Sequence, residues 1–83
     1  MDNSLNLIPG QDYLVIKPFV DYDGIIHGVG EIWTYLGTNF LPYDDGLKLH
    51  VLLDSKATVD RLQRSNEAQA TIIENFKDYV EPC

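Results

Sequence analysis

Asp21, Asp23, His27 and Glu31 fall within one short stretch, and they are residue types that can hold a divalent cation or share a proton. The spacing resembles the start of a calcium loop, but an EF-hand needs glycine at its sixth position and glutamate at its twelfth. Counted from Asp21, Gly24 is fourth and Glu31 eleventh, so that loop is ruled out. A zinc site needs three or four convergent ligands, and the histidines are only His27 and His50. Asp23-Gly24 is a tight-turn dipeptide, because both residues tolerate positive φ. Turn formation therefore accounts for the aspartates, and no metal or cofactor is assigned.

The other chemical groupings are weaker. Asp44-Asp45 could couple two carboxylates for acid–base work, but directly before Gly46 they read more simply as turn formers. Ser55, His50 and Asp54 make a nucleophilic triad on paper only, since no nucleophile elbow accompanies them. Gly28-x-Gly30 lacks the third glycine and the following helix of a phosphate loop. Cys83, the single cysteine, is the last residue and has no partner for a disulfide. A lone thiol fits a reducing, cytoplasmic setting. No catalytic residue is assigned. The competing expectation is a small metal-dependent or acid–base enzyme using Asp21, Asp23, His27 and Glu31.

The aromatics offer a different use. Trp33 and Tyr35 share one face of a strand, while Tyr22, Phe40 and Tyr43 flank it, the two tyrosines beside acidic residues. Aromatic side chains dominate the energetics of protein recognition. The candidate binding residues are Tyr22, Asp23, Trp33, Tyr43, Asp44 and Asp45, although so small a core also calls for Trp33 and Phe40. The formal net charge of −7 repels phosphate backbones and anionic lipid, so nucleic acid and membrane surfaces are not expected partners. A basic protein is the better electrostatic match. The expected function is a non-enzymatic protein-interaction module, acting as an inhibitor or immunity-type binder of such a partner, and either a monomer or a weak homodimer.

These side chains need a scaffold, and 83 residues with 45% apolar content supply one domain with a thin core. Residues 1–7 read as a polar lead without the basic region of a signal peptide. Residues 8–63 read as a β-sheet or barrel. Pro9-Gly10 launches a first strand over 12–20, ending near Pro18. A bent hairpin follows, with its tip at Tyr22-Asp23-Gly24 and its return through Ile25-Ile26-His27. Strict alternation marks strands at 31–36 and 47–53, with an irregular crossing at 37–43 between them. A last strand is expected at 57–62. The pattern then changes period. Ser65 or Asn66 can cap a helix over residues 65–81, whose apolar stripe is Ala68, Ile72, Ile73, Phe76, Tyr79 and Val80.

The combination Pro9-Gly10-x-x-Tyr13, Phe19-x-Asp21-x-Asp23-Gly24, His27-x-x-Gly30-Glu31-x-Trp33 and Leu41-Pro42-Tyr43-Asp44-Asp45-Gly46-Leu47 resembles a family of short, uncharacterised bacterial domains of unknown function. The resemblance spans residues 7–79 and implies no activity or cofactor. The element order is also similar to an SH3-like barrel, with Pro18 to Gly30 in the place of its long first loop. The proline-binding motifs of SH3 domains are missing, so polyproline recognition is not implied. The expected fold is α+β: a four- or five-stranded antiparallel SH3-like open barrel with a C-terminal helix packed on it.

Overall fold

The alternation around Trp33 and along Leu47 to Leu53 builds the middle of an antiparallel sheet. The computed structural model describes residues 5–41 and 46–83. Five strands pair in one sheet: β1 (Asp12–Val15), β4 (Ile32–Leu41), β5 (Gly46–Leu53), β6 (Lys56–Gln63) and β7 (Val80–Pro82), in the order β6-β5-β4-β1-β7. Two short strands, β2 (Phe19–Val20) and β3 (Ile26–His27), form a separate hairpin within the excursion between β1 and β4. The sheet is open, with β6 and β7 as its edges. The barrel expectation thus reduces to an open sheet of five antiparallel strands.

Period-2 burial does the sorting. Tyr13, Val15, Trp33, Tyr35, Leu47, Leu49, Val51 and Leu62 turn inward, while Ile32 and Leu36 stay exposed. Trp33, at 2% exposure, belongs to this core and has no surface to offer a partner. Its ring lies 6.0 Å from Tyr13 and 6.4 Å from Phe76. Phe40 is half-buried and packs against the core.

Turns appear where the punctuation residues stand. Gln11 N–H donates to the Ile8 carbonyl at 3.1 Å across Pro9-Gly10, with Gly10 at φ +88°, as a type II turn requires. Asp54 and Ser55 adopt φ +51° and +65° between the paired residues Leu53 and Lys56, the geometry of a two-residue type I′ hairpin.

Four expectations need correction. The lead is not purely polar, because Leu5 and Leu7 are core residues at 3% and 2% exposure. The first strand stops at Val15 and resumes as β2, since Pro18 cannot donate to a ladder. The crossing at 37–43 is strand as far as residue 41: Tyr35 faces Val51 but Gly37 faces His50, so a bulge at Leu36 resets the register and lets β4 continue.

The fourth correction concerns the tail. Asn66 caps as expected, its Oδ1 accepting from Gln69 N–H at 3.2 Å, but helix α1 (Glu67–Glu74) ends at Asn75. A single 3-10 turn (Phe76–Asp78) follows, and Val80–Pro82 then become β7. Strand β1 would otherwise be an unpaired edge. Val80 pairs with Val15, Glu81 with Leu14 and Pro82 with Tyr13. The apolar stripe therefore serves two elements: Ile72, Ile73 and Phe76 bury from the helix and its extension, Val80 from the strand, while Ala68 is exposed and Gln69 is buried in its place.

Candidate functional site

The excursion between β1 and β4 carries the chemistry read from the sequence, and folding divides it into two clusters. Asp21 is 2% exposed at the end of β2. One of its oxygens, Oδ1, accepts from the Asp23 and Ile25 backbone N–H groups at 2.9 and 3.0 Å, which is the turn role expected of an aspartate here. Its other oxygen, Oδ2, lies 3.0 Å from His27 Nε2. His27 Nδ1 is 2.8 Å from Glu31 Oε1. The imidazole is 4% exposed and stacks on Phe19, with ring centroids 4.7 Å apart.

A third carboxylate arrives from elsewhere in the chain. Asp60 on β6 sits on the same inward face as Leu62 and places Oδ1 3.8 Å from His27 Nε2. Asp60 is 6% exposed. Its isolation in the sequence from the Asp21–Glu31 stretch hid it. The available signal was period-2 spacing, which puts Asp60 on the buried side of β6 with Leu62.

Asp23 goes the other way. Its carboxylate forms a bidentate pair with the Arg61 guanidinium, Arg61 Nε donating to Oδ2 at 3.0 Å and Arg61 Nη2 to Oδ1. The sequence set of Asp21, Asp23, His27 and Glu31 is thus split, and Asp60 takes the place of Asp23 beside the imidazole. Tyr22 N–H donates to the Arg61 carbonyl at 2.7 Å, which holds the hairpin tip against the edge strand β6. From α1, Gln69 Nε2 donates to the Val20 carbonyl at 2.7 Å, which ties the helix to the excursion.

Electrostatics follows from these contacts. Burial alone would lower the His27 pKa, but hydrogen bonds to Glu31 and Asp21 and the nearby Asp60 charge together raise it above 6.5. Burial raises the Asp60 pKa; the imidazolium opposes this, while the Asp21 and Glu31 charges add to it. The Arg61 hydrogen bond lowers the Asp23 pKa.

The remaining candidate residues are distributed as follows. Tyr22 is half exposed and, with Gly46, Leu47, Lys48, Arg61, Leu62 and Gln63, lines a cavity of about 100 Å³. The hairpin tip and the start of β5 thus line one cavity. Tyr43, Asp44 and Asp45 lie outside the described residues. Cys83 is exposed. No helix among the described residues is long and apolar enough to cross a membrane.

Fold and site together define a small open-sheet α+β domain whose long excursion is pinned by a buried histidine–carboxylate cluster. The chain belongs to the DUF3601 family, a domain of unknown function, whose family model matches residues 2–82. Among solved structures it is similar to an integron cassette protein, VCH_CASS4, from the mobile metagenome of Vibrio cholerae. That match has a TM-score of 0.92 at 29% identity and covers 100% of this chain and 92% of the other. A comparison with curated proteins finds no significant match.

Proposed function

We propose that the protein is a non-enzymatic interaction module that binds a protein partner through the outer face of the excursion between β1 and β4. The observation that carries this reading is the distribution of exposed apolar side chains. Ten large hydrophobic residues are exposed among the described residues, and seven of them lie between Ile16 and Ile32. Ile26 is 72% exposed, Val29 65%, Ile25 55% and Tyr22 50%. Clustered apolar exposure marks interaction surfaces, whereas isolated exposed residues are ordinary.

The same segment is fastened by His27 in its buried cluster, by Gln69 on the Val20 carbonyl and, at its tip, by the Asp23–Arg61 pair. A fastened loop loses little entropy on binding. The partner's chemistry is an apolar face framed by basic residues, matched to a chain of net charge −7. Asp21 and Asp23 are already engaged within the protein, so the apolar residues supply the contact at this turn and the acidity acts as a longer-range field. Support for the SH3-like comparison is the strand order, in which β1 lies between β4 and β7 and the long excursion follows β1.

Site-specific photo-crosslinking tests the surface. A crosslinker at Ile26 is expected to capture a partner that a crosslinker at Lys56, at the turn end of β6, does not. Ile26→Asp with Val29→Asp should abolish competition for that partner while leaving the fold intact by circular dichroism. Equal capture from both positions would sink the reading.

A further inference from the structure

We propose that Asp21, His27 and Asp60 form a binding site for a divalent transition ion of the zinc class, with Glu31 as the positioning residue behind the imidazole. One ligand atom from each of the three residues can be chosen so that all lie within 4.8 Å of one another. The Asp21 Oδ2 to His27 Nε2 separation of 3.0 Å already falls in the range of about 3.0–3.5 Å that adjacent ligands occupy around an ion bonded at about 2.0–2.2 Å. The Asp60 Oδ1 to Nε2 distance of 3.8 Å lies a few tenths of an ångström beyond that range.

The placement of Asp60 points to a ligand. Its side chain is 8% exposed and faces the cluster from a separate strand, with Oδ1 3.8 Å from His27 Nε2, beyond hydrogen-bond distance. His27 is already engaged more closely elsewhere, with Nε2 3.0 Å from Asp21 and Nδ1 2.8 Å from Glu31, so Asp60 is the most distant of its carboxylates. Three buried or half-buried carboxylates thus surround one imidazole. Buried carboxylates are ordinarily paired, hydrogen-bonded or coordinated to a metal.

Glu31 adds the other part of the geometry. A histidine that ligates a metal almost always donates its second ring N–H to a carboxylate or carbonyl, which fixes the tautomer and strengthens the donor nitrogen. Glu31 Oε1 stands at that position on Nδ1. Binding is an exchange: the Nε2 proton leaves to solvent, and the cation takes its place between Nε2, Asp21 Oδ2 and Asp60 Oδ1. One imidazole with carboxylates suits zinc or a neighbouring transition ion better than magnesium or calcium, which favour all-oxygen sets. Such an ion would join the excursion to β6. The site is independent of the partner surface proposed above, because its ligands face inward.

The test is calorimetric titration of zinc chloride into the metal-free full-length chain at pH 7.5. Cys83→Ser and His50→Gln are included to remove other zinc-binding side chains. One-to-one binding with release of protons is expected. Asp60→Asn keeps the size of the side chain and leaves the Asp21–His27–Glu31 contacts, and it should weaken binding by at least roughly tenfold. Glu31→Gln should weaken it by about 10–100-fold, and it decides the matter alone if Asp60→Asn does not fold. Absence of one-to-one binding, or affinity retained within tenfold in the deciding variant, overturns the proposal and leaves a proton as the occupant.

Discussion

His27 and Glu31 are joined by a turn that aims one at the other. Glu31 N–H donates to the Gly28 carbonyl at 3.2 Å, Gly30 takes φ +101°, and the chain reverses so that Glu31 Oε1 lies 2.8 Å from His27 Nδ1. Glycine at the third position of a type II turn meets the requirement for positive φ. The surroundings of Gly30 are open, with no atom within 4 Å of an added Cβ. Gly30→Ala should therefore cost about 1–2 kcal/mol through backbone strain alone. Denaturant unfolding will measure it, and a neutral effect would show that the turn does not hold its conformation.

Glu31→Gln removes a charge from Nδ1 but keeps the shape of the side chain. In the metal-free protein the His27 imidazole should titrate above 6.5, and this substitution should move the titration downward. Proton-detected NMR of the ring across the pH range reads both values. A His27 titration unchanged by Glu31→Gln would contradict the contact.

The same shifts set the sign of the pH dependence of stability without metal. A histidine whose folded pKa is raised contributes stability that is full below the unfolded value of about 6.5 and is lost as pH rises through the folded value. Asp60 has the same sign in a more acidic window, its raised pKa costing stability as pH rises from about 3.8 through its folded value, so the fall above pH 6 is carried by His27. Stability in chelator should thus fall from pH 6 towards alkaline pH, as followed by urea midpoints. A rise over that interval would contradict the assignment.

Arg61→Ala should return the Asp23 carboxyl to its ordinary range, because the guanidinium hydrogen bond is the main cause of its lowered pKa. Both side chains are substantially exposed, so the principal effect is on the hairpin tip. Faster hydrogen exchange at the Tyr22 amide, which donates to the Arg61 carbonyl, is the expected signature.

Phe76→Ala tests the junction between helix and sheet. Phe76 is 1% exposed and lies 5.4 Å from Phe19 and 6.4 Å from Trp33 by ring centroids. Its truncation should cost about 3–5 kcal/mol, measured by chemical denaturation.

Much of this fold was legible locally. Alternation buried Trp33, Tyr35, Leu47, Leu49 and Val51 because neighbouring strand side chains point to opposite faces, and that needs no knowledge of the partner strand. Pro9-Gly10 and Asp23-Gly24 marked turns, and Asn66 marked a helix start, since each acts through its own backbone neighbourhood. The end of α1 was not legible in the same way. Ile72 through Val80 keep a helical period past Asn75, but the unpaired side of β1 claimed Val80–Pro82 for hydrogen bonding.

The site shows the same division. By itself the sequence determined that an acidic, histidine-containing turn stands between two strands, because turn chemistry and alternation depend on residues a few positions apart. Tertiary structure alone decided that Asp23 pairs with Arg61 and that Asp60 joins Asp21 and His27. Those outcomes depend on packing the excursion against β6 and α1, and distances across a fold are not carried by the spacing of residues along a chain.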